Sequence, residues 1–197
     1  MTPQTSVCFD LETGGLEPDQ PDIQLAAIAV GSDYNELATF ERKIQFDESK
    51  ATKVALEINH YDPEVWKREA KPLLQVCREF AEFLRPYCCV PKVSKAGKPY
   101  KVARLFGHNA ATFDGPRLQR MFTGAGVFLP ADLRVRCTLQ RALWWFDEHC
   151  EDLPKSPENF KVGPLCEYFG IPVVDAHDAL GDVRMTVALA RKLKERE

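Results

Sequence analysis

An α/β layered domain with a mixed central sheet flanked by helices is the fold class this sequence predicts. Three features predict it: strict period-two alternation at the N-terminus, three consecutive strand-like segments, and then short apolar strands alternating with helix-period segments. Residues 5–13 (TSVCFDLET) set Val7, Phe9 and Leu11 against Cys8, Asp10 and Glu12, a strand that ends at Gly14-Gly15. Residues 23–31 and 35–46 read as the next two strands, joined by a short Gly/Ser/Asp turn into an antiparallel meander. A short helix is expected at 51–60. A longer one is expected over 72–87, where Leu73, Val76, Phe80, Phe83, Leu84 and Tyr87 recur at helical spacing behind Pro72. A brief apolar strand at 104–107 precedes a helix near 114–123 that opens with Asp114 and Pro116. A strand at 133–137 leads into a helix at 138–146, and another short helix covers about 163–169. The last helix spans about 179–195, capped by Asp178, with Asp182 at its positive end and Arg191, Lys192, Lys194 and Arg196 at its negative end.

The 197 residues suit a single domain over 1–197 with a substantial core, carrying a basic hairpin-like insertion near 91–104 and an acidic loop near 147–158. A hydrophobic share of 45% and a charged share of 28% exclude a disordered or low-complexity chain. No apolar run reaches the roughly 20 residues a membrane span needs, and no basic-then-apolar leader opens the chain. A soluble, cytoplasmic protein with no membrane partner is expected. Lys and Arg total 26 against 29 Asp and Glu, so a polyanion would have to be met by a local basic patch or through cations. Seven scattered cysteines argue for a reducing compartment rather than a disulfide framework, and their spacing does not suit a zinc site.

Asp10 and Glu12 lie two apart on a strand, and so on one face, flanked by core-type residues. Acids are disfavoured in a central strand, so an edge strand with a solvated face is the plain alternative. Against it stand Thr13 and two glycines directly after the acids, which would let backbone amides approach a ligand closely. FDLETGGL (9–16) resembles the first motif of the DEDD exonucleases, the DnaQ-like proofreading family. GHNAATFD (107–114) resembles its second motif. HDALGD (177–182), a His followed by an Asp, resembles the third motif in the spacing of the histidine subclass. RCTLQRAL (136–143) and LCEYFGI (165–171) are similar to the helices between them.

The resemblance implies a ribonuclease H-like three-layer fold and a 3′→5′ exonuclease releasing nucleoside monophosphates. It implies that Asp10, Glu12 and Asp182 ligate metal directly, that Asp114 acts partly through waters, and that His177 is the general base; a pKa of about 6.5 suits that role. Four carboxylates far apart in sequence, each on a strand face or at a helix start, would repel unless cations relieved them. Oxygen donors favour Mg²⁺ or Mn²⁺, and two such ions suit phosphodiester hydrolysis. Thr13, Gly14, Gly15 and Leu16 resemble the family's terminal-nucleotide pocket. Asn109 and Phe113 are candidates to line it, with Phe113 equally read as a packing residue. The stretch 91–106 holds five cations and Tyr100 with no acid, so Lys98, Tyr100 and Lys101 read either as a strand-binding hairpin or as a solvated one. Arg117 and Arg120 are secondary candidates for substrate contact, His108 is read as structural, and His60 and His149 as surface residues. Expected partners are single-stranded DNA or RNA 3′ ends, with a polymerase or a second copy of the chain as protein partner. DNA is the favoured substrate. The alternatives are an RNA-trimming exoribonuclease of the same family, a catalytically silent nucleic-acid-binding module, and a structural interaction domain.

Overall fold

The computed structural model describes residues 4–149, 151, 156–173 and 179–196. Its main sheet has five strands in the order β3-β2-β1-β6-β7. Strands β1 (Ser6–Thr13), β2 (Asp22–Val30) and β3 (Glu36–Lys43) form the expected antiparallel meander. Strands β6 (Leu105–Gly107) and β7 (Arg136–Cys137) add in parallel, so the sheet is mixed. A separate antiparallel hairpin is made by β4 (Cys88–Val93) and β5 (Pro99–Ala103).

The alternation in β1 separates two cores. Val7, Phe9 and Leu11 pack with α3 (Leu73–Leu84) and α4 (Asp114–Gly124) through residues such as Val76, Phe80, Leu118 and Phe122. Cys8 faces the other way, against α7 (Ala179–Glu195), beside Ala179, Val183, Val187 and Ala190. The opposite stripe of α7, Met185, Leu189 and Leu193, packs on α5 (Thr138–His149) and α6 (Val162–Tyr168). One helix therefore buries two faces, which explains its near-continuous run of small and apolar residues. Two shorter helices, α1 (Lys53–Ile58) and α2 (Pro63–Glu69), follow the meander.

The structure departs from the sequence expectation at several points. Helix α2 lies outside the sequence expectation, although Asp62 caps it by accepting from the Glu64 and Val65 amides and Pro63 occupies its first turn. Its Trp66 is buried beside Ile23 and donates to the Ile23 carbonyl at 3.3 Å. The strand expected at 133–137 shrinks to two residues, because the chain just before it is spent on Ala103, which bridges Ala131 and accepts from the Asp132 amide. Asp147 and Glu148 belong to the last turn of α5, not to an acidic loop; Trp145 and Phe146, buried beneath, carry the helix on to His149. His149 is half-buried and stacks on Trp145 at 4.6 Å, so it is not a plain surface residue. Arg191 and Lys194 do more than sit at the negative end of α7: they donate to the Tyr34 and Ser32 carbonyls and fasten the β2–β3 turn. The expected cap, Asp178, lies outside the described residues.

Candidate active site

Three elements bring the acids together. Asp10 and Glu12 occupy the α7-facing side of β1, and the Cys8 thiol below them approaches the Val183 carbonyl at 3.8 Å. That contact sets the first turn of α7 against the end of β1 and places Asp182 beside the pair. One carboxylate oxygen from each of Asp10, Glu12 and Asp182 lies within 4.8 Å of the others. Asp114 arrives from the opposite side, in the first turn of α4, buried at 4% exposure. The β1–β6 ladder stops at Cys8 and Phe106, so the Leu11 amide beyond it is free to donate to Asp114 Oδ1 at 3.3 Å. Gly107 makes the crossing possible, because a Cβ there would lie 2.7 Å from the Phe9 carbonyl oxygen.

Burial, and then the charges of Asp114, Glu12 and Asp182, push the Asp10 carboxyl well above the usual range. Burial raises Asp114 to about 7, offset in part by the hydrogen bond from the Leu11 amide. With these oxygens no more than 4.8 Å apart and an effective dielectric near 20, each pair would repel by at least about 3 kcal/mol when both members are charged. An all-oxygen cluster under that strain fits hard divalent cations, and Asp10, Glu12 and Asp182 are the residues that would hold them.

The cluster stands at the head of an open cleft of about 630 Å³. Leu11, Thr13, Gly15, Leu16, Asn109 and Phe113 line it together with Val54, Ala55, Ile58 and Asn59 from α1 and the residue after it. Leu16 stands 80% exposed at the lip. Asn109 takes a left-handed backbone (φ 58°) that asparagine tolerates, and its carbonyl accepts from the Thr112 and Phe113 amides. The expectation that the Thr13–Gly15 amides are open to a ligand needs correcting in part. The Gly14 amide donates to the Pro21 carbonyl at 2.7 Å, because the loop folds back on itself. Gly14 allows that fold, since a Cβ there would lie 2.8 Å from Ala51 Cβ and 2.9 Å from Pro21 Cγ.

Arg117 is not a substrate contact. It is 2% exposed, and its guanidinium donates to the Gly15, Glu17 and Gln20 carbonyls at 3.0, 2.7 and 3.2 Å and to Asp22 Oδ1 at 3.1 Å. The same group lies 4.7 Å from the centre of the Phe113 ring. Phe113 thus both packs and lines the cleft, and Arg117 ties it to the loop that forms the facing wall. The spacing of Phe113 and Arg117, four apart at a helix start, was the available signal for that pairing. Asn59, which donates to the Thr13 carbonyl at 2.8 Å, carried no signal in the sequence.

His108 lines the same cleft but is held at both ring nitrogens, by Thr138 Oγ1 at 2.9 Å and the Phe160 carbonyl at 2.8 Å. Burial lowers its pKa, so the neutral ring donates from Nε2 to Phe160 and accepts at Nδ1 from the Thr138 hydroxyl. His177 lies outside the described residues. Lys98, Tyr100 and Lys101 do not line the cleft. They belong to the β4–β5 hairpin, whose chain enters the sheet where Leu105 pairs with Val7, at the opposite end of β1 from Glu12.

No family model and no curated protein matches the chain. Among solved structures it is similar to E. coli exonuclease I in complex with a 5cy-dT13 oligonucleotide (20% identity, TM-score 0.79) and to the zinc ion-bound form of the E. coli ExoI–ssDNA complex (20%, 0.78). It is also similar to a product-bound exonuclease I (19%, 0.75). Each match covers 98% of this chain, but the chain spans only 41–43% of those proteins. The likeness establishes a mixed-sheet α/β fold shared with part of exonuclease I.

Proposed function

We propose that the chain is a metal-dependent exonuclease that trims single-stranded DNA from its 3′ end and releases nucleoside 5′-monophosphates. The observation that carries this reading is the meeting of Asp10, Glu12 and Asp182, with Asp114 beside them, at the head of an open cleft. The fold it shares with exonuclease I, solved with single-stranded DNA, supports the choice of substrate. Bound Mg²⁺ or Mn²⁺, two ions per site, would supply an activated water and charge neutralisation at the departing 3′-oxygen.

The chain's own residues do the rest. Asp10, Glu12 and Asp182 hold the ions, and Asp114, steadied by the Leu11 amide, completes the acidic set. The His177 imidazole takes the proton of the attacking water. Leu16 and the Phe113 ring flank the terminal base, with Thr13, Gly15 and Asn109 around the sugar. The test is a 5′-labelled 20-mer with Mg²⁺, Mn²⁺ or EDTA, run as single-stranded DNA, as RNA and as a mismatched duplex end. A ladder shortening from the 3′ end, fastest on single-stranded DNA and absent in EDTA, is expected. His177→Ala should slow it by roughly two to four orders of magnitude. An intact DNA strand under both metals would point to a silent binding module, and faster trimming of RNA to an exoribonuclease.

A further inference from the structure

The β4–β5 hairpin stands apart from the rest of the surface in charge. Between Cys88 and Arg104 it carries five cations and no acid, while the chain as a whole is at −3, so everything outside the hairpin sums to −8. Two nearby cations are already used: Lys92 and Arg134 both pair with Asp132, at 2.9 and 3.2 Å. Lys95, Lys98 and Lys101 are exposed and make no ion pair among the described residues.

Beside them lies an exposed pair of rings. Tyr100 is 40% and Phe128 66% exposed, with centroids 6.3 Å apart at 63°. The two rings share the walls of two grooves of about 510 Å³ each, one toward Leu133 and Arg134 and one toward Arg78 and Arg85. Two large rings kept in water side by side have no role in the core and mark a contact surface. Their neighbours set its chemistry. Lysines are compact point charges on flexible stems, suited to an irregular phosphate backbone, and every base offers a face on which an exposed ring can stack.

We infer that the face built by the hairpin and the 127–134 loop is a second contact for single-stranded nucleic acid, holding the strand on the 5′ side of the reacting end. The inference rests on the proposed exonuclease reading for which end of the strand lies where. Val7, at the level where the hairpin joins the sheet, precedes Glu12 by five strand residues, about 17 Å. At a stacked rise of about 3.4 Å per nucleotide that is about five nucleotides to the foot of the hairpin alone, so a strand must be well over this length to reach the lysines and rings beyond it.

The test is binding of 5′-fluorescein dT6 and dT30, by anisotropy in EDTA and across a salt series. Wild type is compared with Lys95→Ala/Lys98→Ala/Lys101→Ala and with Tyr100→Ala/Phe128→Ala, and a melting curve checks that each variant is folded. For the triple variant the dT30 dissociation constant should rise at least tenfold, several times more than for dT6. The salt slope should fall by about 2, from about 0.7 per lost phosphate contact. The ring variant should weaken dT30 about fivefold or more. Unchanged dT30 binding overturns the inference and leaves the face to an acidic protein partner; equal losses on dT6 and dT30 overturn it by making the hairpin part of the cleft. If wild type binds dT30 as described but hydrolyses nothing with Mn²⁺, the exonuclease reading fails while the surface stands.

Discussion

Arg117→Met should be the most damaging single change near the cleft that touches no member of the acidic cluster. It keeps the length of the stem but removes four hydrogen bonds at once. Asp22, whose side chain is 14% exposed, loses its charge partner, and the Gly15, Glu17 and Gln20 carbonyls lose their donor. Removing one member of a buried ion pair costs about 3–5 kcal/mol. For a chain of this size each kcal/mol lowers Tm by about 2–4 °C, so a fall of about 6–20 °C is expected. The loss should also depend on pH. Burial already raises the Asp22 carboxyl, and the hydrogen bond and charge of Arg117, with the charge of Arg120, hold that rise in check. Without Arg117 the folded pKa climbs further above the unfolded value. Such a group stabilises the fold below its unfolded pKa and loses that contribution as pH rises through the folded one. Scanning calorimetry should therefore find the variant weakened more at pH 8 than at pH 5, and Asp22→Asn added to Arg117→Met should restore part of the loss. A Tm within 2 °C of wild type, or an equal deficit at both pH values, would refute the clamp.

Asp132→Asn tests the opposite sign. Burial alone would raise this carboxyl, but Lys92 and Arg134 hold it at about 2. Its contribution is present above the unfolded value near 3.9 and disappears as pH falls toward 2, so wild type and variant should differ in urea midpoint at pH 6 and converge near pH 2. Asp10→Asn tests metal binding by the acidic cluster without relying on turnover. Mn²⁺ at about 100 times its dissociation constant should stabilise wild type by about 2.7 kcal/mol, while the variant should melt above metal-free wild type and respond little to the ion. A variant that shifts with Mn²⁺ as wild type does would remove Asp10 from the ligand set.

Much of this was legible in the chain alone, because it depends on local period. The alternation of Val7, Phe9 and Leu11 against Cys8, Asp10 and Glu12 determined that β1 is a strand and that its two acids share a face. The turn chemistry around Gly97 (φ 75°) determined the hairpin. The spacing in α7 determined a long helix bearing Asp182 in its first turn. Other features depended on which strand lies beside which, and no local pattern carries that. The motif resemblance implied that Asp182 meets Asp10, but only the tertiary structure supplied the means, the seating of α7 on the Cys8 side of the sheet. Only it decided that Arg117 turns inward to the 15–22 loop instead of outward to substrate, and that Asp114 takes the Leu11 amide where β6 stops short. The parallel entry of β6 likewise put the basic hairpin at the far end of β1 from the carboxylates. Period assigns a residue to a face, but what the face meets is set by packing between elements distant in sequence.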